Sequence, residues 1–455
     1  MNQNQNENVA VVTPSILSGF LELLPEDQII FNNMLDTIKN TFESFGFIPV
    51  DTPVIEKAEV LLAKSGGDTE KQVYRFNKGD NDLALRFDLT VPLARFVAQH
   101  YGVLTFPFRR YHIGKVYRGE RPQKGRFREF YQCDIDIVGN ERLSVINDAE
   151  IVSIIHSTFK KLGLDDFTIM INNRKLLNGF FNYCGIEDSV EVLRIVDKLD
   201  KIGRDNVKKE LIEIGVSENT AEEILELSNL SGDPDEVISA LKKMDIDNPE
   251  FVLGLEELDT VWSYIKAFGL DGSEIEINLK IARGLDYYTG TVYETILNNH
   301  KELGSVCSGG RYDDLASNYT KKKLPGVGIS IGLSRLFYQL READVIRRTG
   351  AQTPTKMLFV PMGNTMAYAI KTANFVRQKG VNTEVYLNDG KLSKKLNYAN
   401  KLGIPYVAII GENEQESNTV CIKDMESGDQ SVYTMEELLI FMKNINGIGE
   451  EESNG

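Results

Sequence analysis

A block of helical character, residues 175–272, interrupts a chain whose flanking segments carry strand patterns. Within the block, apolar side chains recur at helical spacing at Val192, Ile195, Val196 and Leu199. After the block, apolar and polar side chains alternate as in a strand, with the apolar ones at Ile275, Ile277, Leu279 and Ile281. This arrangement predicts one sheet that is built from two separate stretches of the chain, with a helical insertion between them.

Residues 111–120 and 130–139 are predicted to form two strands of a hairpin around the loop 121–126, which contains Gly and Arg. In the second strand, polar side chains alternate with apolar ones at Gln132, Asp134 and Asp136. Because successive strand side chains point to opposite faces, these three share one face of the sheet. The pattern alone leaves two interpretations open, a solvated sheet face or a face that binds a ligand.

The segments outside this sheet follow from the same patterns. A helix over 26–46 starts with Pro25, Glu26 and Asp27, and an extended segment over 47–50 follows it. After residue 350, strands alternate with helices, the strands over 357–361, 383–387 and 406–410 and the helices near 364–379 and 393–402. This order is typical of a separate α/β domain, which a linker over 349–354 would join to the rest.

The net charge of −16 argues against non-specific binding of nucleic acid, because an acidic surface repels a polyanion. Residues 107–132 reverse this balance with eight Lys or Arg against two Glu, which indicates a defined anionic ligand rather than a general polyanion-binding surface; no DNA partner is expected. The four cysteines form no CxxC pair, so neither a disulfide framework nor a zinc site is predicted. With no signal or transit peptide and no apolar run long enough to cross a bilayer, we expect a cytoplasmic protein without a membrane partner.

The sequence lacks several common catalytic motifs. It has no Walker A sequence and no HExxH or other metal cluster, and its glycine spacing over 326–332 departs from the dinucleotide fingerprint. We interpret 326–332 as a close-packed strand that runs into a helix. The four histidines are scattered, so none stands out as a general base, and His112 is expected to be a structural residue of its strand.

Arginines near predicted strand ends carry the strongest chemical signal. Arg118 ends one strand, Arg126 lies in the hairpin loop, Arg283 follows another strand, and Arg335 lies in the helix after the glycine-rich segment. Arginine stays charged and can bind phosphate through two parallel hydrogen bonds. Each of these residues alone is more often an ordinary surface arginine, whereas four of them around one sheet suggest a polyphosphate site.

Five segments together resemble the histidyl-tRNA synthetase family. They are FRRYHIGKVYRGERPQKGRFREFYQCDIDIVG from Phe108, similar to its motif 2 hairpin; RGLDYYTGTVYE over 283–294, similar to its histidine-specific signature; SGGRYDDL over 308–315, similar to its second signature loop; GVGISIGLSRL over 326–336, similar to class II motif 3; and LALRFDLTVPLARF over 83–96, similar to the segment before motif 2. The resemblance runs from residue 18 to the C-terminus in family order. One departure is that Leu21 and Glu22 stand where the family usually has a basic residue followed by Asp.

The resemblance implies an α+β fold: a class II antiparallel catalytic sheet flanked by helices, a helical insertion and a C-terminal α/β anticodon-binding domain. The implied boundaries are a catalytic domain over 18–174 and 273–345, an insertion over 175–272, an anticodon-binding domain over 355–447, and disordered tails over 1–17 and 448–455. The family also implies a homodimer that is built in part through motif 1, here around helix 26–46.

The resemblance also implies roles for single residues. The ATP-binding positions are Arg118 at the α-phosphate, Glu120 at the adenine end, Arg126 at the triphosphate, Phe130 stacked on adenine and Arg335 at the γ-phosphate. Arg283 resembles the arginine beside the α-phosphate and the substrate carboxylate, and Arg283, Arg118 and Arg335 are the expected catalytic residues. No metal-ligating side chain is expected, and Mg²⁺ would bridge phosphate oxygens.

For histidine, the family positions that hold the ammonium group are Asp88, Thr90 and Gln132, and those that contact the ring nitrogens are Asp136 and Tyr288. Tyr287 and Arg283 complete the histidine-binding set, although core packing is the favoured interpretation for Tyr287. Asp134 is expected to be a structural residue.

The family's reaction is the activation of L-histidine with ATP, followed by transfer of histidine to tRNA(His). Such a reaction needs no enzyme nucleophile, which agrees with a site rich in arginine. Two alternatives share the resemblance: the catalytically silent regulatory subunit of ATP phosphoribosyltransferase, and a tRNA-sensing module beside a kinase. The intact Arg118, Arg283 and Arg335 disfavour both of them. The C-terminal α/β domain disfavours the first, and the second lacks its kinase in this sequence.

Overall fold

The computed structural model describes residues 12–63, 67–122, 125–186, 189–196, 198–281, 288–348 and 350–445. The chain forms two compact units. The larger contains the chain up to Leu21 together with Met34–Val345, and the smaller contains Glu22–Asn33 together with the chain from Ile346 onward. The first helix, α1 (Pro25–Ser44), therefore contributes residues to both units.

The larger unit contains a nine-stranded sheet and a three-stranded sheet. After α1, its elements in chain order are β1 (Ile48–Pro49), β2 (Ile55–Lys57), α2 (Ala58–Leu61), α3 (Gly67–Gln72), β3 (Arg75–Lys78), β4 (Asn81–Leu85), α4 (Thr90–His100), β5 (Phe108–Tyr117), β6 (Glu129–Val138), α5 (Ile146–Lys161), β7 (Phe167–Asn173), α6 (Arg174–Tyr183), α7 (Ser189–Val196), α8 (Leu199–Ile202), α9 (Arg204–Glu213), α10 (Glu218–Ser228), β8 (Ser231–Gly232), α11 (Pro234–Lys243), α12 (Pro249–Ala267), β9 (Ile275–Asn278), β10 (Thr291–Leu297), β11 (Cys307–Tyr312), β12 (Gly326–Ile331) and α13 (Leu333–Glu342).

The large sheet has the strand order β1-β5-β6-β12-β11-β10-β7-β9-β8, and the small sheet has the order β2-β4-β3. From β5 to β7 in this order all neighbours are antiparallel, whereas β1 pairs with β5 and β7 pairs with β9 in parallel. Strand β7, before the helical block, pairs with β10, after it. One sheet thus combines two stretches of the chain, which confirms the predicted α+β architecture.

The hairpin of β5 and β6 sets the geometry of the site. Both strands begin and end slightly earlier than predicted, and their register places Arg110 opposite Asp136, His112 opposite Asp134 and Gly114 opposite Gln132. Gln132, Asp134 and Asp136 are at most 9% exposed. The interpretation of this face as a solvated surface is therefore wrong. Since buried carboxylates are costly without partners, the face must supply cations and donors.

The other face of the sheet is covered by α5, which buries Ile151, Val152, Ile154 and Ile155 completely. A buried ion pair joins this helix to β11, where Nε of Arg311 donates to Oδ1 of Asp148 at 3.0 Å. Arg311 and Tyr312 are neighbours on one strand, so their side chains point to opposite faces of the sheet. The polar face of β6 and this apolar layer are thereby kept apart.

Residues 175–272 are helical as expected, apart from β8, which extends the sheet by pairing with β9. Side chains cap several of these helices: Ser217, Asp233 and Asn248 each accept a backbone N–H of the following first turn. Helices α6 and α12 approach closely, because a Cβ on Gly179 would lie only 2.2 Å from the backbone nitrogen of Phe251.

The smaller unit continues with β13 (Met357–Pro361), α14 (Met366–Gln378), β14 (Thr383–Val385), α15 (Leu392–Leu402), β15 (Tyr406–Ile410), α16 (Glu412–Ser417), β16 (Thr419–Asp424), β17 (Gln430–Thr434) and α17 (Met435–Ile445). Its sheet has the order β14-β13-β15-β16-β17, parallel among the first three strands and antiparallel thereafter. The predicted strands 357–361 and 406–410 are confirmed. Across both units, none of the described helices combines the length and apolar character needed to cross a membrane.

Candidate active site

A pocket lies against the polar face of β6. It is lined by Thr90, Asp134, Asp136, Tyr288, Tyr312, Gly328, Ile329 and Ser330. Hydroxyl and carboxyl groups dominate this lining, and most of them come from the regular strands of one sheet. The pocket therefore suits a small polar ligand that can donate several hydrogen bonds.

Asp136 is the most tightly held carboxylate of the pocket. Nη2 of the fully buried Arg110 lies 2.5 Å from Oδ2 of Asp136, and Tyr312 donates its hydroxyl to Oδ1 at 2.8 Å. Burial raises the pKa of Asp136, and both Arg110 and the Tyr312 hydrogen bond oppose this rise. A close ion pair with a buried guanidinium favours the ionised carboxylate. Asp136 thus offers a fixed acceptor to an N–H group of a ligand.

Two glycines, which have no side chain, leave room for the side chains of the pocket. A Cβ at Gly328, opposite Asp136 on β12, would lie 2.4 Å from Oδ1 of Asp136. A Cβ at Gly310 would lie 2.9 Å from the ring of Tyr288. The glycine-rich segment 326–332 therefore serves the close packing of a strand that leads into α13, as predicted, and not a dinucleotide.

Gln132, Asp134 and Ser330 form a polar group on the same face. Nε2 of Gln132 donates to the Ser330 hydroxyl at 2.8 Å, and Ser330 stands directly opposite Asp134 on the neighbouring strand. Burial raises the pKa of Asp134 to about 7, against the opposing effects of Arg110 and Ser330. Within the described part of the chain, Oε1 of Gln132 and Oδ1 of Asp134 are buried and have no hydrogen-bond partner. Such acceptors indicate a ligand that brings donors.

Asp88 and Thr90 lie at the start of α4. Oδ1 of Asp88 accepts the backbone N–H of Val91 at 3.0 Å, whereas Oδ2 is buried and has no partner among the described residues. Burial raises the pKa of Asp88 to about 6, while the Val91 N–H and the charge of Arg118 act in the opposite direction. Asp88, two residues before the pocket residue Thr90, therefore has a carboxylate oxygen that could accept from a ligand.

Arg118 connects the pocket to an aromatic side chain. Its Nε donates to the backbone carbonyl of Phe87 at 3.1 Å, directly before Asp88. Its guanidinium carbon lies 5.2 Å from the centroid of the Phe130 ring, within the range of a cation–π contact. Arg118 is therefore placed to bind an anionic group that lies between the pocket and Phe130.

Glu120, Arg126 and Arg335 form a more open charged group. Nη1 of Arg126, which is 53% exposed, lies 3.9 Å from Oε2 of Glu120, and Nη2 of Arg335 donates to the backbone carbonyl of Leu303 at 2.6 Å. Burial and then the charge of Arg126 lower the pKa of Arg335, and Glu120 raises it. Two guanidinium groups near one carboxylate leave an excess of positive charge, which suits an anion with several charges.

Comparison with known proteins places this geometry in a family. The family model described as histidyl-tRNA synthetase matches residues 19–336, and that described as anticodon binding domain matches residues 356–445. The chain belongs to the histidyl-tRNA synthetase family. A relative named histidine–tRNA ligase, from Clostridium tetani (strain Massachusetts / E88), is 60% identical over 434 residues, which cover 95% of this chain and 99% of that protein.

Solved structures share the fold. The crystal structure of histidyl-tRNA synthetase from Nostoc sp. PCC 7120 has a TM-score of 0.89 at 39% identity and covers 96% of this chain and 100% of its own. A protein described as ATP phosphoribosyltransferase regulatory subunit/histidyl-tRNA synthetase, from Bacillus halodurans C, has a TM-score of 0.72 at 21% identity, with 88% of this chain and 99% of that chain covered. The second likeness shows the fold alone, and function has to be argued from the site.

The structure brings together most of the residues that the family resemblance singled out. Thr90, Asp136 and Tyr288 line the pocket, and Gln132 lies on the same face of β6 as Asp136. Arg118 contacts both the backbone carbonyl of Phe87, directly before Asp88, and the ring of Phe130. Glu120, Arg126 and Arg335 lie near one another. Arg283 and Tyr287 lie outside the described residues.

Several pocket residues were not predicted from the sequence. Arg110 was visible only as one charge of the basic segment 107–132, and Tyr312 and Ser330 only as parts of family motifs. The register of β5 and β6, which sets Arg110 opposite Asp136, is the signal that identifies Arg110. Asp134, which was expected to be structural, lies in the pocket wall.

His112 has the structural role that the sequence suggested. It is buried in β5, with Nε2 at 2.9 Å from Oδ1 of Asp51 and at 3.3 Å from Nη1 of Arg86. Burial, together with the charges of Arg110 and Arg86, lowers the pKa of His112 to about 3. The ring is therefore neutral near pH 7 and does not act as a proton donor there.

Proposed function

We propose that this chain is a histidine–tRNA ligase that acts in two steps. In the first, a carboxylate oxygen of histidine attacks the α-phosphorus of ATP and the bond to the β-phosphate oxygen breaks, which gives histidyl-adenylate and pyrophosphate. In the second, the terminal ribose hydroxyl of tRNA(His) attacks the activated carbonyl carbon, and AMP leaves with the former carboxylate oxygen. Positioning and stabilisation of phosphate charge can carry both steps without an enzyme nucleophile.

The observation that carries this proposal is Asp136, a buried carboxylate in a small polar pocket that is held by Arg110 and the Tyr312 hydroxyl. An imidazole N–H of histidine would donate to Asp136, and the Tyr288 hydroxyl would contact the other ring nitrogen. An amino acid without a ring donor would leave Asp136 buried without its ligand contact, and the pocket would penalise that amino acid.

The ammonium group of histidine would meet Oδ2 of Asp88, Oε1 of Gln132 and the hydroxyl of Thr90. The first two atoms are buried acceptors without a partner in the described chain. A charged ammonium group with three N–H donors is a ligand that satisfies them. With these assignments, polar groups of the protein would contact both the imidazole ring and the ammonium group of histidine.

ATP would lie along the arginine group. Adenine would stack on Phe130 with Glu120 at its edge, Arg118 would bind the α-phosphate, and Arg126 and Arg335 would bind the outer phosphates. Arg283, outside the described residues, would lie beside the α-phosphate and the histidine carboxylate. Because its charge would matter most in the transition state, we expect Arg283→Ala to slow adenylate formation more than it weakens histidine binding.

Mg²⁺ would enter as part of the substrate MgATP. Among the described residues, no group of three or more His, Cys, Asp or Glu side chains could hold a metal ion. The metal would be held mainly by phosphate oxygens, since Mg²⁺ binds oxygen ligands and commonly those of a substrate phosphate. The cation would neutralise phosphate charge alongside the arginines.

Further parts of the proposal concern partners and domains. The loop 121–126 would meet the acceptor end of tRNA, and residues 355–447 would meet the anticodon, which the match to an anticodon-binding family model supports. Two copies would form a cytoplasmic homodimer, in part through α1. The catalytic domain would comprise 18–174 and 273–345, with the insertion over 175–272.

A second candidate is a catalytically silent paralogue that binds histidine, because the fold occurs in a protein described partly as an ATP phosphoribosyltransferase regulatory subunit. Arg118 stacked near Phe130 and the Arg126–Arg335 group argue for a nucleotide site instead. The relative at 60% identity over nearly the whole chain argues in the same direction.

ATP–pyrophosphate exchange, measured without tRNA for each of the twenty amino acids, tests the proposal. Exchange with histidine alone is the expected result, and charging of tRNA(His) would then test the second step. No exchange by folded protein would favour the silent paralogue. Exchange with another amino acid would overturn the assignment of the pocket.

A further inference from the structure

Two side chains hold the carboxylate of Asp136 from opposite sides of its strand, and the family resemblance assigned neither of them to a ligand. On β5, Nη2 of Arg110 lies 2.5 Å from Oδ2 of Asp136. From β11, which lies beyond β12 in the sheet, the Tyr312 hydroxyl donates to Oδ1 at 2.8 Å. Each carboxylate oxygen therefore has one fixed partner and keeps a further lone pair for a ligand.

Tyr312 reaches across β12 to Asp136 because that strand has glycine at the positions in between. A Cβ at Gly326, opposite Tyr312, would lie 2.4 Å from the tyrosine ring. A Cβ at Gly328, opposite Asp136, would lie 2.4 Å from Oδ1 of the carboxylate. Side chains at these two positions would displace the ring or the carboxylate, so the hydrogen bond depends on both glycines.

Arg110 depends on Asp136 for its counter-charge. Its guanidinium is fully buried, and arginine stays protonated inside proteins. Nη2 also donates to the backbone carbonyl of Leu89 at 3.3 Å, whereas Nε and Nη1 have no hydrogen-bond partner among the described residues. In this part of the chain, Asp136 is the carboxylate that forms an ion pair with Arg110. Protonation of Asp136 would leave a buried cation uncompensated, which is costly.

We infer that Arg110 and Tyr312 are positioning residues for histidine recognition, which hold the Asp136 carboxylate charged and in one orientation so that it accepts the imidazole N–H. This inference rests on the proposed function, because it takes the ring of the ligand to be imidazole. A charged carboxylate can only accept, whereas a neutral carboxyl group would also present a proton of its own. The two residues therefore determine how strictly the pocket requires a ring donor.

Other groups near Asp136 also respond to Arg110. The charged or titratable side chains around Asp136 are Arg110 on β5, Tyr312 on β11, Asp134 on β6, Asp88 at the start of α4, and Tyr288 in the pocket wall. Burial raises the pKa of Asp134 to about 7 and that of Asp88 to about 6, and the charge of Arg110 opposes both changes. Removal of Arg110 would raise the pKa of all three carboxyl groups, so the contribution of Asp136 has to be isolated by substitution.

Arg110→Met tests the inference in the exchange assay at pH 6 and pH 8.5. Without its counter-ion, buried Asp136 should bind a proton at pH 6 and release it at higher pH. We expect the KM for histidine to be about 30-fold above wild type at pH 6 and about threefold above at pH 8.5. Each ratio is taken at one pH, so the ionisation of histidine itself cancels. Arg110→Lys keeps a charge and should stay within about fivefold of wild type at both pH values.

The same measurement in an Asp136→Asn background assigns the pH dependence. An amide does not titrate in this range, so adding Arg110→Met should change the KM for histidine by the same factor at pH 6 and pH 8.5. A factor that still depends on pH would belong to Asp134 or Asp88. A purely structural role of Arg110 would lower stability without any dependence of the KM ratio on pH.

Tyr312→Phe removes only the hydroxyl and decides the question if Arg110→Met does not fold. We expect the KM for histidine at pH 8.5 to rise about fivefold, and to rise less than about twofold in the Asp136→Asn background. Tyr293→Phe is the matched control, since Tyr293 is a buried tyrosine of β10 whose hydroxyl donates to the backbone carbonyl of Asp148 at 3.1 Å. It should leave the KM for histidine unchanged.

Three results would overturn the inference. They are an Arg110→Met ratio that is equal at both pH values, a pH dependence that persists without the Asp136 carboxylate, and a wild-type KM for histidine in Tyr312→Phe. Exchange by the wild type with histidine keeps the proposed function standing in each of these cases. Wild type that fails to exchange with histidine would remove both proposals.

Discussion

The amino-acid pocket and the arginine group differ in how completely the protein itself holds their charged side chains. In the pocket, Asp136 is 3% exposed and paired with a fully buried Arg110 and a tyrosine hydroxyl. In the arginine group, Arg126 is 53% exposed and lies 3.9 Å from its nearest carboxylate oxygen. The charged side chains of the pocket are therefore held in place before any ligand binds. Arg126 of the arginine group has much weaker contacts with the rest of the protein.

This difference matches two different tasks. Discrimination between amino acids needs buried groups in fixed positions, since a wrong ligand must leave them unsatisfied. A triphosphate is recognised mainly by charge, and mobile arginines can close around it and order on binding. We therefore expect substitutions in the pocket to change the KM for histidine and substitutions around the arginines to change the use of ATP.

The largest effect is expected for Arg118→Ala, because Arg118 lies between the two regions. Loss of its charge should lower kcat/KM for histidine-dependent exchange by about 10³-fold or more, as for other fixed donors to a developing phosphate charge. The control is Arg75→Ala, since Arg75 is exposed on β3 and paired with Asp82. A loss of less than tenfold in Arg118→Ala would break the proposed phosphate role.

Asp136→Asn tests the pocket side of the comparison. The neutral amide weakens acceptance of the ring N–H, so we expect the KM for histidine to rise about 100-fold while the KM for ATP stays within about threefold. It also leaves Arg110 without its counter-ion, and stability should fall. Asp148→Asn breaks the equally buried pair with Arg311 on the other face of the sheet. It should lower stability without changing the KM for histidine, and equal KM changes in the two variants would contradict the account.

Phe130→Leu tests the nucleotide side. Stacking of a base on an aromatic ring contributes about 1–3 kcal/mol, so the KM for ATP should rise about tenfold and the KM for histidine should change little. Phe96→Leu is the control, because Phe96 packs near Phe108 in the apolar core of the unit. A larger change in the KM for histidine than in the KM for ATP would contradict the assignment of Phe130 to the adenine of ATP.

The smallest effect concerns pH and the buried carboxylate of Asp134. Its pKa of about 7 exceeds the ordinary value, so the native state holds a proton that the unfolded state releases. The stability from this proton is present at low pH and is lost as pH rises through 7. Between pH 5 and 8, Asp134→Asn should gain about 1–3 kcal/mol of unfolding free energy relative to wild type.

Urea titrations of wild type and Asp134→Asn at pH 5 and pH 8 measure this gain. Asp36→Asn is the control, since Asp36 is exposed on α1 and should give the same difference from wild type at both pH values. Parallel behaviour of Asp134→Asn and wild type would mean that Asp134 is ionised throughout this range.

The sequence predicted best those elements whose pattern depends only on local periodicity. Strands β13 and β15 match the predicted bounds, and the helical block 175–272 is helical except for β8. Strands β16 and β17 and the helix α17 were not predicted. Strand β17 is largely exposed, so it lacks the alternation between buried and exposed side chains that marks a strand.

Burial and partners in the site could not be predicted from the same patterns. Alternation on β6 is identical for a solvated face and for a buried one, so only the tertiary structure reveals that Asp136 is enclosed. Arg110 pairs with Asp136 because the register of β5 and β6 sets the two residues opposite each other. Ser330 accepts from Gln132 because its strand, β12, lies beside β6 in the sheet. Family motifs singled out the residues expected to touch ligands, whereas the residues that hold them in place became visible only in the fold.

The most direct test of the account is a crystal structure of the protein with L-histidine and a non-hydrolysable ATP analogue. We predict the imidazole within hydrogen-bonding distance of Asp136 and the ammonium group at Asp88 and Oε1 of Gln132. The adenine should lie on Phe130 and the α-phosphate at Arg118. Histidine bound elsewhere, or bound here with its ring away from Asp136, would contradict the assignment of the pocket.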